Sequence, residues 1–319
     1  MHKIGVTGGT GFIGRYVCEE LLREGYTPVI FDHHAKDSSE YTEGCEVFMG
    51  DVRDDIAMTE FAAHVDGIIH LAAVLGTQET IKNPRPAAQS NLMGGLNFLE
   101  ACAQYDLPGV YIAVGNHWMN NPYSITKNMI ERFTHMYNKD RGTRVNIVRA
   151  VNAYGPRQLA AAPFAHGKVR KIMPALICRA LSNMPMELYG GGKQISDMVY
   201  VGDVAKALVL ALECANRGDV FDTAIEVGPV EHTAVREVAD LVNDALFKKQ
   251  IVSVEIKSLP MRPGEKEGDA VTADTDTLEL IGFNKEELVP IVDGITRTVN
   301  YFIENEGITW TKPQSSSQV

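Results

Sequence analysis

Cysteine is scarce in this chain of 319 residues: five, at positions 18, 45, 102, 178 and 214. They are far apart, odd in number and free of any Cys-x-x-Cys spacing, so they indicate neither a disulfide framework nor a zinc site, and no metal is expected. Their expected role is that of small buried hydrophobes, which suits a reducing cytoplasm. Basic charge is also short. Thirty Lys and Arg face 41 Asp and Glu, a formal charge of −11, which offers no electrostatic footprint for a nucleic-acid backbone or an anionic membrane. No run approaches the ~18 consecutive apolar residues of a membrane span; the densest, Ala205 to Leu212, contains Lys206. The strand-like Lys3 to Thr7 begins too early for a basic and apolar leader to precede it. These absences predict a soluble cytoplasmic protein with no nucleic-acid or membrane partner. With 45% hydrophobic and 22% charged residues, disorder is excluded as the main state. The length accommodates about two domains, or one large sheet domain with an appended lobe.

What the first half does contain is a rhythm. Short apolar runs at Ile4 to Thr7, Thr27 to Asp32, Glu46 to Met49, Gly67 to His70, Val110 to Val114 and Val145 to Arg149 alternate with stretches of helical periodicity, such as Ile13, Tyr16, Val17, Leu21 and Leu22. Such alternation predicts a doubly wound parallel sheet with helices on both faces. The stretch from Ala160 to Pro185, followed by Gly190, Gly191 and Gly192, marks the start of a second lobe. A strand at Met198 to Val201 and a helix at Asp203 to Cys214 follow. A helix over Val235 to Phe247, a strand over Val252 to Ser258 and a helix over Ile291 to Asn305 complete the lobe. The expected division is a nucleotide-binding domain over 1–153, to which 198–230 returns, and a smaller α/β substrate-binding lobe over 154–197 and 231–310. Residues 311–319, with Pro313 and three serines, are expected to be a flexible tail.

The first strand runs into Thr7-Gly8-Gly9-Thr10-Gly11-Phe12-Ile13-Gly14 at the entry to the first helix. Gly8 permits a tight turn, Gly11 lets the backbone approach a pyrophosphate at the helix N-terminus, and Gly14 allows the helix to pack closely on the strand. Phe12 and Ile13 open the helix and count with the glycines as cofactor-binding. Asp32 ends the second strand, where a carboxylate accepts hydrogen bonds from the adenosine ribose and repels a 2′-phosphate. His33 and His34, rather than arginine, follow it. The motif is that of a Rossmann-type dinucleotide fold, with NAD favoured over NADP.

Tyr123 and Lys127 stand four apart, on one face of a predicted helix. An ammonium near a phenol favours the phenolate, so this pair can remove a hydroxyl proton as hydride leaves.

Together with Gly8 to Gly14, Asp51 in Gly50-Asp51-Val52-Arg53-Asp54, His70-Leu71-Ala72-Ala73, Asn91 and Tyr123-Ser124-Ile125-Thr126-Lys127, the chain resembles the extended short-chain dehydrogenase/reductases. Within them it is most similar to the NAD-dependent sugar-nucleotide epimerase/dehydratases. The resemblance continues through Arg149 to Gln158, Asp197 with Tyr200 and Asp203, and Arg262-Pro263-Gly264-Glu265. It implies that Asp51 and Val52 flank the adenine, that Leu71, Ala72 and Ala73 line the cofactor, and that Asn91 sits on the nicotinamide side. It implies further that Asn152 and Arg262 meet a substrate diphosphate, with Thr80 and Lys168 as additional substrate contacts. It also implies a homodimer through the helices around Pro86 to Gln104 and Tyr123 to Asp140, with Leu96, Leu99 and Ala103 spaced for that interface.

Two departures qualify the resemblance. Gly115 stands where the family supplies a Ser or Thr after the fifth strand, in a segment that looks trimmed, leaving Asn116 first and His117 second as replacement donors. Ser196 stands before Asp197 where the family often has Arg, so Lys193 or the cluster Lys168, Arg170 and Lys171 is expected to meet the phosphates instead. The segment also lacks the acidic pair of the 4,6-dehydratases and the Glu of the sugar-acid decarboxylases. The leading expectation is a C4 epimerase of a nucleotide sugar, with catalytic Tyr123, Lys127 and Asn116. A dehydratase or reductase of the same family, and a non-catalytic NAD-binding sensor or scaffold, are the alternatives.

Overall fold

The computed structural model describes residues 1–33, 43–161, 163–164, 171–262 and 268–305. Its first half alternates strand and helix as β1 (Lys3–Thr7), α1 (Phe12–Arg23), β2 (Thr27–Asp32), β3 (Glu46–Met49), α2 (Asp55–Ala62), β4 (Gly67–His70), α3 (Thr77–Lys82), α4 (Arg85–Ala87), α5 (Gly94–Tyr105), β5 (Pro108–Val114), α6 (Pro122–Arg141) and β6 (Arg144–Ala150). Between α4 and α5 the chain makes a π-helical turn, Ala88–Met93. The second half contributes β7 (Asn152–Tyr154), α7 (Ile172–Leu181), β8 (Met186–Tyr189), β9 (Ile195–Ser196), β10 (Met198–Tyr200), α8 (Val201–Arg217), β11 (Ile225–Val227), α9 (Val235–Phe247), β12 (Ile256–Leu259), β13 (Ala270–Val271) and α10 (Ile291–Asn305).

Seven strands form one parallel sheet in the order β11-β6-β5-β4-β1-β2-β3, a Rossmann-type arrangement. The period of two within each strand explains why both faces are covered. Ile4, Val6, Ile30, Ile69, Val110, Ile112 and Val148 face a core shared with Val17 and Leu21 of α1 and Leu208 and Leu212 of α8. Their neighbours Val29, Phe31, Ile68, Tyr111, Ala113 and Ile147 face a second core with Phe61 of α2, Phe98 of α5 and Ile130 of α6. A third core joins α7, β8, α9 and α10 around Leu176, Leu188, Val238, Val242 and Phe302.

Several boundaries differ from the sequence reading. The strand expected over Val252 to Ser258 is shorter and later, Ile256–Leu259, and pairs in parallel with β8. Leu278, Ile281, Phe283 and Leu288, which lie within the span expected to be lobe, pack instead into the core of α1 and α8. Asp203 secures that segment by accepting from the Val289 N–H at 2.9 Å. All five cysteines are free, four of them buried and Cys45 half-buried. Among the described residues no helix is long and apolar enough to cross a membrane. Residues 34–42, 162, 165–170, 263–267 and 306–319 lie outside the description, and with them His34, Lys168, Arg170, Pro263 to Glu265 and the tail over 311–319.

Gly94 and Gly95 let α5 pass close to its neighbours. A Cβ on Gly94 would stand 2.6 Å from Val52 Cγ2, and one on Gly95 2.5 Å from Ile130 Cγ1. Gly95→Ala is therefore expected to destabilise the protein although alanine is the better helix former: overpacking outweighs the propensity gain by about 1 kcal/mol. A fall in the urea midpoint with unchanged slope would register this.

Candidate active site

β1 ends at Thr7 and the chain turns at Gly8, whose φ of +70° is the left-handed region. A Cβ there would lie 3.0 Å from the backbone of Ala72, and one on Gly14 would lie 2.3 Å from the Gly8 carbonyl oxygen. Helix α1 starts after Gly11 with no side-chain cap and no acidic residue in its first turn, leaving its positive end available to an anion. Asp32 is buried at the tip of β2, and its Oδ2 accepts from Thr10 Oγ1 at 2.6 Å and Thr10 N at 3.3 Å, fastening the loop to the strand that follows it.

The opposite wall comes from the chain after β4. The N–H groups of Leu71 and Ala72 both donate to Thr7 Oγ1, at 3.1 and 3.2 Å. The threonine hydroxyl in turn donates to His70 Nδ1 at 2.9 Å, which puts the imidazole proton on Nε2. His70 is buried and stacked on Phe98 with ring centres 4.9 Å apart; burial, assisted by the charge of Lys127, pulls its pKa down to about 3. Ala73 continues this wall toward Val74. Asn91, set inward by the π-helical turn, accepts from Val74 N at 2.7 Å and donates to Val74 O and Thr126 Oγ1, each at 3.1 Å. Both ends of its amide are thus engaged with protein, and it ties this wall to α6. Arg53 beside Asp51 holds that carboxyl below the usual range. Val52 packs into the space left by Gly94, and its carbonyl accepts from Asn97 at 2.9 Å.

Helix α6 begins where Asn121 caps the Ser124 N–H at 2.9 Å and Pro122 occupies the first turn. This start places Tyr123 at the edge of the sheet and Lys127 one turn deeper. Lys127 is 2% exposed, its Nζ 4.2 Å from the centre of the Tyr111 ring. Burial pulls its pKa down to about 7, opposed by Glu131, whereas burial pushes the Tyr123 phenol up to about 12. Aliphatic side chains border the position of the missing hydroxyl. A Cβ on Gly115 would stand 3.0 Å from Val151 Cγ1, a tight fit that asks the valine to give by a few tenths of an ångström, and 3.5 Å from Val271 Cγ1, an ordinary contact. Asn116 donates its amide to Met119 Sδ at 3.4 Å, and His117 Nδ1 is buried without a hydrogen-bond partner.

A small cavity of about 100 Å³ opens between this edge and the lobe, lined by Met119, Glu187, Tyr189, Ser196, Arg262 and Val271 among others. Tyr123 and Lys127 are not in its lining; Met119, from the same β5–α6 turn, is the link. Asn152 donates to Ser196 Oγ at 2.9 Å and Asp197 O at 3.0 Å. The Arg262 guanidinium lies 5.0 Å over the Tyr189 ring. Thr80 is buried, and its hydroxyl donates to Gly76 O at 2.7 Å, a bond within its own helix rather than toward a ligand. Sequence reasoning missed Tyr189 and Met119; the Gly-Gly-Gly directly after Tyr189 was the available signal for the first.

The model of the NAD dependent epimerase/dehydratase family matches residues 4–228. The chain belongs to this family. NAD is accordingly its cofactor, and the loop of Gly8, Gly11 and Gly14 with Asp32 beside it fits that molecule: Cβ atoms there would press on the backbone of the loop itself and of Ala72, so only glycine allows the tight turn at the uncapped start of α1. The crystal structure of the UDP-glucose 4-epimerase of Thermus thermophilus in complex with NAD superposes with a TM-score of 0.79 at 29% identity, covering 95% of this chain and 99% of that one. A protein of Methanocaldococcus jannaschii, provisionally named a UDP-glucose 4-epimerase, is 28% identical over 94% of this chain and 98% of its own. The UDP-N-acetyl-alpha-D-glucosaminuronate decarboxylase of Bacillus cytotoxicus is 26% identical over the same shares. Family relatives thus include both epimerases and enzymes that break a bond in the sugar.

Within this family member the neutral His70 is a pH liability. Its folded pKa lies below the unfolded value of ~6.5, so the unfolded chain binds the extra proton and stability falls as pH drops from ~6.5 toward 3. Between pH 7 and 5 the loss from this group is about 2 kcal/mol. His70→Asn, which keeps an acceptor for Thr7, should lose correspondingly less when urea unfolding is compared at the two pH values.

Proposed function

We propose that the protein is a NAD-dependent sugar-nucleotide epimerase acting at C4 through a transient 4-keto sugar. One observation carries this reading: α6 presents a half-buried Tyr123 one turn before the buried Lys127, while the turn before it, residues 115–121, contains no carboxylate. A hydroxyl proton can be taken and returned there, but the acid or base that dehydration or decarboxylation needs is missing from that turn. NAD, when bound, accepts the sugar's hydride and gives it back. Tyr123 removes the 4-hydroxyl proton, and the Lys127 ammonium favours the phenolate that burial alone would suppress. Inversion follows when the keto sugar turns its other face before it is reduced. Asn116 or His117 donates to the sugar oxygen in place of the absent hydroxyl, and Arg262 meets the diphosphate, whereas both amide hydrogens of Asn152 are already held by Ser196 and Asp197.

The test is to denature the purified protein and assay released NAD(H), then incubate the native protein with UDP-, dTDP-, GDP- and CDP-sugars and resolve the products. Epimerised sugar is expected, with Tyr123→Phe lowering kcat by at least ~100-fold and Asn116→Ala or His117→Ala lowering it further than KM changes. Retained NAD with no turnover of any sugar, and no loss on Tyr123→Phe, would establish the sensor or scaffold instead; the aliphatic neighbours of Gly115 are what favour that second reading.

A homodimer accompanies this proposal, with one change of residues. Leu99 is fully buried against the chain's own sheet and cannot serve an interface. The exposed apolar face runs instead through Met93 on the π-helical turn and Ile125, Met129 and Met136 on α6, bordered by half-buried Leu96. Two such faces from two copies would bury one another as a four-helix layer. Sedimentation should give twice the monomer mass, and Ile125→Glu/Met129→Glu the monomer; a monomeric wild type refutes it.

A further inference from the structure

Behind the catalytic helix lies a row of charges, Glu131 buried and Arg149 and Glu226 half-buried, that the proposed reaction does not use directly. Glu131, one turn after Lys127 on α6, is 4% exposed. Its Oε2 accepts from Arg149 Nε at 3.1 Å, and its Oε1 accepts from the other arm of the same guanidinium. Arg149 also donates through Nη1 to Glu226 Oε1 at 2.9 Å, and Glu226 Oε2 accepts from the Asp274 N–H at 2.8 Å. Charges along Lys127, Glu131, Arg149 and Glu226 alternate in sign and sum to zero. Buried ion pairs of this kind are a poor source of stability, because desolvation offsets most of the attraction and apolar residues of similar size often do as well. Their place beside Lys127 suggests another purpose.

We propose that Glu131, held by Arg149 and Glu226, is the positioning residue that keeps Lys127 protonated beneath Tyr123. The titratable groups beside Lys127 are Tyr111 on β5, whose ring its ammonium overlies, His70 on β4, and Glu131 one turn later on its own helix; Tyr123 stands one turn before it. His70 is neutral and both tyrosines are protonated at rest, so among these groups Glu131 is the anion. Glu226 has a definite part: without it the full charge of Arg149 would fall on Glu131 and cancel its field at Lys127. The inference rests on the catalytic reading of Tyr123 and Lys127. Phenolate with ammonium, and phenol with free amine, carry the same number of protons, so the balance between them is independent of pH and is set by such fixed neighbours.

The experiment follows the Cε resonance of Lys127 in protein labelled at lysine, assigned by its loss in Lys127→Met, across pH 5 to 9. In the wild type it is expected to titrate near 7. Glu131→Gln should move the midpoint acidward by about one pH unit and lower kcat about tenfold with KM unchanged. Glu226→Gln should move both in the same direction by less, and Glu131→Asp should restore part of the loss. A folded Glu131→Gln whose Lys127 titration is unmoved overturns the proposal; should that variant not fold, an unmoved midpoint in Glu226→Gln does so. A shifted midpoint in a protein that turns over no nucleotide sugar would leave this inference standing and refute the epimerase reading.

Discussion

Seven parallel strands, all but the edge strand β3 largely buried, force every strand-to-helix turn onto one edge of the sheet, and the candidate site is a consequence of that constraint. The glycine loop after β1, the wall after β4, the turn after β5 and Asn152 after β6 meet there because the strands that deliver them run in register. Thr7 welds two of these turns together, accepting from Leu71 and Ala72 while donating to His70. Asn91 adds the link to α6. The loop after β1, the wall after β4 and α6 therefore share one set of hydrogen bonds.

Electrostatics divides the molecule differently. A chain of charge −11 must meet anionic ligands with local devices, and the proposed function assigns that part to the uncapped start of α1 and to Arg262, which lies over Tyr189 at the cavity. Deeper in, positive charge is kept where water is scarce. Lys127 lies against an aromatic face, and Arg149 sits between two carboxylates. Burial acts in opposite directions on the two partners of the proposed catalytic pair, favouring free amine on Lys127 and phenol on Tyr123. On the proposed reading, fixed counter-charge such as Glu131 then weighs on where the proton rests.

Glycine spacing at 8, 11 and 14, Asp32 at a strand end, and Tyr123 with Lys127 at one helical turn were legible in the sequence because each is a local relation: backbone geometry alone brings those residues together. Strand positions were legible for a similar reason, since period-two burial on a doubly covered sheet leaves continuous apolar runs. What tertiary structure alone decided was the partner of each side chain. Asn91 engages Val74 and Thr126, Thr80 its own helix, and Leu99 its own core, because packing of distant segments determines which groups come within hydrogen-bonding or packing distance. The aliphatic neighbours of Gly115, Val151 and Val271, and the joining of Glu131, Arg149 and Glu226 across positions nearly a hundred residues apart, likewise depend on strand order. Local spacing determined the reactive residues; the sheet determined what surrounds and charges them.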